Sequence, residues 1–170
     1  MAIAKQHQNK LLISITDGKK LGEVKDLYFD ASLSKVIAAF LGAEGLLNRK
    51  TLVIERAAIQ VYGIDAWLVA GSDKVVELDA LAGADTFVSA SSLRGREIHS
   101  EGGTKLAAIE DVVLDAETNV LGFTLGKVYV QGPLAERKTI ARSAIASVGG
   151  KDNPMTTTLA QAEKAAVPDA

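Results

Sequence analysis

The chain has 170 residues, 48% of them hydrophobic and 24% charged, and a formal net charge of −2 at pH 7. Those totals fit one soluble domain or two small ones, and they exclude a molecule-wide positive field for nucleic acid or an anionic membrane. The absence of cysteine excludes disulfides, thiolate catalysis, iron–sulfur clusters and cysteine-ligated zinc.

The first ten residues form a polar arm without the apolar core of a secretory signal, and no stretch approaches the roughly 20 apolar residues that span a bilayer. A cytoplasmic protein with no membrane insertion is expected. Leu11–Ile15 reads as a first strand, and Asp17-Gly18 supplies the turn after it. From Gly22 to Gly42, two apolar runs flank a turn opened by Asp30, which is a hairpin pattern. A loop containing Gly45 follows, then Thr51–Ile54, Ala58–Val61 and, after Gly63–Asp65, Ala66–Ala70. About six short strands with no helix between them predict a small antiparallel barrel or sandwich. Val75–Ser92, rich in Ala, Ser, Asp and Leu, reads as a connection.

The hairpin then recurs. Ala107–Gly126 repeats Gly22–Gly42: Lys20-Leu21 returns as Lys105-Leu106, Asp26 as Asp111, Asp30-Ala31 as Asp115-Ala116, and Val36-Ile37 as Val120-Leu121. Arg49-Lys50-Thr51 is matched with Arg137-Lys138-Thr139, and Ala58-Ile59 with Ala144-Ile145. Repeats of this length seldom arise by composition alone. The fold class expected is therefore all-β, as two tandem small antiparallel barrels related by a pseudo-two-fold, with a possible short C-terminal helix. The divisions expected are residues 10–78, a linker at 79–92, a second repeat at 93–156 and a tail at 157–170. Where the first repeat ends on Ala66–Ala70, the second has Asp152–Thr156 with Pro154 inside it. Proline cannot donate to a strand ladder, so a degenerate closing strand is expected there.

Strict alternation places Asp26 and Asp111 beside core residues. Either a bulge shifts the phase at this point, or the carboxylate accepts backbone N–H groups from a neighbouring loop. Both readings are structural, and no acid, histidine or nucleophile accompanies either aspartate to make a catalytic site. The second hairpin arms, which contain Phe40 and Phe123, are apolar on both faces or nearly so, while a small barrel offers core on one side only. The sister repeat, the connecting segment or another copy of the chain must cover the other side.

The pattern formed by Lys19–Asp30, Lys35–Leu41, Leu52–Ile59 and Tyr62–Val69 resembles the PRC-barrel family, which includes the barrel of the photosynthetic reaction-centre H subunit and the C-terminal barrel of a ribosome maturation factor. The resemblance covers residues 10–75 well and 93–150 more loosely. It implies a small barrel that docks on other macromolecules, and membership alone does not choose the partner.

The function expected is that of a non-enzymatic binding or scaffold protein, acting through protein–protein contact or self-association as a homo-oligomer or an intramolecular barrel pair. The alternative is an RNA- or ribosome-associated factor contacting phosphates through Arg49, Lys50, Arg137 and Lys138. The two histidines, His7 and His99, have no metal-ligand spacing with a carboxylate pair, and no cofactor is expected. Phe40→Asp is expected to unfold or dissociate the protein by setting an unpaired charge against an apolar surface; circular dichroism and sedimentation check it.

Overall fold

The computed structural model describes residues 2–168. Strands make up 44% of it, in curled sheets that include a half-barrel, and the α-helices are three and short. In the first half, β1 (Ala2–Ile3) leads through a 3-10 turn at Ala4–His7 to β2 (Leu11–Ser14), β3 (Lys20–Glu23), β4 (Asp26–Phe29) and β5 (Val36–Glu44). Next come β6 (Lys50–Glu55), β7 (Ile59–Tyr62), β8 (Ala66–Val69) and β9 (Val75–Glu77). The second half contains β10 (Val88–Ser89), α1 (Ala90–Leu93), β11 (Glu97–Ser100), β12 (Lys105–Leu114), β13 (Val120–Val128), α2 (Pro133–Arg137), β14 (Thr139–Ala141), β15 (Met155–Thr157) and α3 (Leu159–Lys164).

These strands make three sheets, ordered β3-β2-β8-β7, β10-β4-β5-β6-β9 and β14-β13-β12-β11-β15, with β1 also paired to β12. The expectation of purely antiparallel pairing is corrected: β8 runs parallel to β2, and β15 runs parallel to β11. A second strand equivalent to β8 is therefore present, at the edge of its sheet. In register, Trp67 lies beside Leu12 and Met155 beside Ile98, and all four side chains are buried. Met155 fills in the second repeat the place that Trp67 fills in the first. Pro154 immediately precedes β15, where a missing N–H costs no ladder bond.

The stretch read as a connection, Val75–Ser92, carries β9, β10 and most of α1. Its last part is the counterpart of the N-terminal arm, and the two arms cross. β1 precedes the first repeat but pairs with β12 of the second, Ala2 opposite Leu114 and Ile3 opposite Val113. β10 precedes the second repeat but pairs with β4 of the first, Val88 opposite Phe29 and Ser89 opposite Tyr28. The repeated aspartates hold the ends of these arms. Asp26 Oδ2 accepts the Ser91 N–H at 3.3 Å, and Asp111 Oδ2 accepts the Lys5 N–H at 3.2 Å. Each also takes the N–H of its own following residue at 2.8 Å through Oδ1. Around Asp111 the β12 ladder is irregular as well, with register shifts on either side of Ile109.

The hairpin turns meet at a seam. Lys35 bridges Asn119, the Val36 N–H donates to Thr118 O at 3.0 Å, and the Val120 N–H donates to Ser34 O at 2.8 Å. Leu33 and Thr118 are both buried and left-handed, with φ of 51° and 65°, a conformation that costs a non-glycine residue roughly 1–2 kcal/mol. Side chains stabilise it on both sides. Asp30 takes the N–H groups of Ser34 and Lys35 at 2.7 and 2.9 Å, and Asp115 takes those of Glu117 and Asn119 at 2.9 and 2.8 Å. Burial pushes the Asp30 carboxyl up, but hydrogen bonds from Ser32, Ser34 and Lys35 outweigh it and hold its pKa below the usual carboxylate value.

Each repeat then grips the other's turn with an arginine. Arg56 donates to Glu117 O at 2.5 Å, Thr118 Oγ1 at 3.2 Å and Asn119 Oδ1 at 3.2 Å. Arg142 donates to Ser32 O at 2.6 Å and Leu33 O at 3.1 Å. Arg142→Ala should lower stability by about 2 kcal/mol, since charge-assisted bonds to half-buried carbonyls are lost. A lower urea midpoint at unchanged slope is the expected reading.

Candidate functional site

The last rung between β5 and β6 pairs Glu44 with Lys50. Beyond it the chain reverses through Gly45, Leu46, Leu47, Asn48 and Arg49. Gly45 has φ 99°, and a Cβ there would lie 2.6 Å from Asn48 O, so glycine is required on both conformational and steric grounds. The shape of the reversal leaves Leu46 and Leu47 102% and 98% exposed. A leucine side chain taken from water into an apolar contact contributes about 1.5–3 kcal/mol, so this pair is a ready anchor for a partner. Glu44, Arg49 and Lys50 form a charged rim. Lys50 Nζ lies 2.7 Å from Glu77 Oε1, and that hydrogen bond and charge hold the ammonium above its usual pKa. Arg49 is exposed beside the leucines.

The matching stretch of the second repeat is built differently. It folds into α2, which buries Leu134, and Arg137 Nη2 donates to Ala162 O and Glu163 O of α3 at 2.9 and 2.8 Å. Lys138 ends α2 in the left-handed region at φ 52°. Arg137 thus clamps the C-terminal helix instead of facing solvent with Arg49. The sequence match of Arg49-Lys50 with Arg137-Lys138 is corrected by the ladder. Ile54 pairs with Ala39 and Ile140 with Phe123, while Val53 pairs with Phe40 and Thr139 with Thr124. Carried down the strands, this register sets Arg137 and Lys138 opposite the places of Thr51 and Leu52, two residues away from the motif match. A short string of like residues misled the alignment because hairpin register is decided by backbone pairing.

The same register separates the two phenylalanines. Phe123 is fully buried in the core, whereas Phe40 is half-buried, its ring centroid 6.1 Å from that of Tyr28 in an edge-on contact. Asp26 and Asp111 hold the crossing arms, as described above. The site residues expected from sequence therefore serve four separate tasks: arm capture, core packing, the clamp of Arg137 on α3 and, at Arg49 and Lys50, the rim of the exposed tip.

Sequence reasoning passed over Leu46 and Leu47, although two adjacent leucines after a glycine between strands break the polar pattern of a turn. It also passed over Arg56 and Arg142, which precede the matched Ala58-Ile59 and Ala144-Ile145 at the same spacing. No family model and no curated protein matches the chain, so its role is argued from geometry.

Gly45→Ala should distort the tip and cost about 1 kcal/mol or more. The expected outcome is a modest fall in thermal midpoint together with changed amide shifts confined to residues 44–50, read by two-dimensional NMR.

Proposed function

We propose that the chain is a non-catalytic binding or scaffold protein of the PRC-barrel type. On this reading its two tandem barrels are related by a pseudo-two-fold axis near the Lys35–Asn119 bridge, and it docks on a protein partner, including another copy of itself, through the Leu46-Leu47 tip. The crossed arms, the reciprocal arginines and the matching places of Trp67 and Met155 support the two-barrel description. The observation that carries the docking role is the exposure of two adjacent leucines on a turn whose shape is imposed by Gly45. Apolar anchors inside a charged rim are the arrangement in which a few side chains supply most of an interface's energy.

An RNA- or ribosome-associated role has less support, because Arg137 is engaged by α3 and Lys50 by Glu77. The decisive comparison is sedimentation velocity and pull-down with the wild type and the Leu46→Ser/Leu47→Ser variant, with circular dichroism as a fold control. Self-association or capture of defined, nuclease-resistant proteins should be present in the wild type and lost in the variant. Unchanged behaviour of the double variant removes the docking reading. Recovery of ribosomal RNA that disappears with salt puts the RNA-associated reading in its place.

A further inference from the structure

The two crossing arms have the same construction but differ at one buried position. In register, Ala2-Ile3 corresponds to Val88-Ser89, because both pairs lie on equivalent hairpin residues, Leu114-Val113 and Phe29-Tyr28. Continuing along the arms, Ala4 matches Ala90, Lys5 matches Ser91 and His7 matches Leu93. Leu93 is fully buried, as an arm anchor should be. His7 is 7% exposed, and both of its ring nitrogens are buried with no hydrogen-bond partner among the described residues.

His7 packs on the indole of Trp67 with ring centroids 5.2 Å apart, and Tyr62 meets the same indole edge-on at 5.0 Å. The nearest charge is unfavourable to a proton on the imidazole. Lys10 stands 5.9 Å from the Trp67 ring centroid and donates to Gly63 O, with Asp65 acting on Lys10 from the β7–β8 turn. Lys25 meets the arm through its carbonyl, which accepts from Gln8 Nε2 at 3.4 Å. At the arm's other end, Asp111 holds the Lys5 N–H, and Lys5, Arg94, Glu110 and Asp111 border a cavity of about 390 Å³. No carboxylate bonds to either nitrogen of His7 among the described residues.

We propose that the N-terminal arm, residues 2–7, is an acid-released latch: protonation of His7 expels its ring from the Trp67 pocket and frees β1 from the edge of β12, while the matching arm with Leu93 stays in place. A buried cation with unpaired N–H donors beside Lys10 has only its contact with the Trp67 ring to set against its lost hydration. Burial first, and then the charge of Lys10, lower the His7 pKa from 6.5 to about 4. The sign follows. In the docked arm His7 stays neutral down to about pH 4, whereas the released arm takes up its proton near pH 6.5. Docking is therefore at full strength above pH 6.5, weakens as pH falls toward 4, and changes little below that. Release uncovers the strand edge at Val113 and Leu114.

Native-state hydrogen exchange, corrected for intrinsic rates, tests the latch within one molecule because the second arm is its control. Between pH 7 and 4.5 the opening equilibrium of residues 2–7 should rise roughly 50- to 100-fold, while residues 88–93 keep their protection. His7→Leu copies the other arm and should remove the pH dependence. The proposal is overturned if wild-type residues 2–7 stay protected at pH 4.5, if both arms open together, or if His7→Leu still opens on acidification. None of these readings depends on the Leu46-Leu47 tip.

Discussion

Each repeat needs the other to complete its hairpin turn, and the rest of the structure depends on that exchange. Leu33 and Thr118 are held in a left-handed conformation that neither residue prefers. Asp30 and Asp115 fix the turns from within, and Arg142 and Arg56 fix them from across the seam. A guanidinium is suited to this task because its fork of donors meets several acceptors at once. Removing either arginine takes several charge-assisted donors from the turn carbonyls at once.

The crossed arms extend the same logic to the hairpin flanks. A hairpin apolar on both faces exposes too much surface alone, and here additional chain covers part of it. β10 and α1 lie along β4, β1 lies along β12, and Val167 packs so close to Gly122 that a Cβ there would lie 2.8 Å from its side chain. The aspartates at the repeated position, Asp111 buried and Asp26 half-buried, satisfy arm N–H groups, so a carboxylate there serves attachment. A bulged ladder and backbone-donor bonds coexist at Asp111.

Where the repeats differ, each difference changes exposure or charge. The β5–β6 turn ends in bare leucines, while its counterpart folds as α2 and is tied down by Arg137. One arm is anchored by Leu93 and the other by His7. The core tolerates the exchange of Trp67 for Met155 because a flexible thioether fills an irregular space. The turns and arms flank these frameworks, and there the two acquire separate properties.

The hairpins, their turns opened by Asp30 and Asp115, the internal repeat and the β class were all legible in the residues, because alternation and turn chemistry act between neighbours in the chain. Tertiary structure alone decided the crossing of the arms, the parallel pairing of β8 and β15, the presence of an edge strand after Pro154 and the two-residue shift at Arg137. These are pairings between distant segments, selected by which backbone edges are free and which side chains fill the same space. The exposed leucines were present in the sequence, but their solvent exposure follows from Gly45 turning the chain beyond the last rung of the ladder. The burial of His7 likewise depends on Trp67, sixty residues away in the chain, reaching the same pocket.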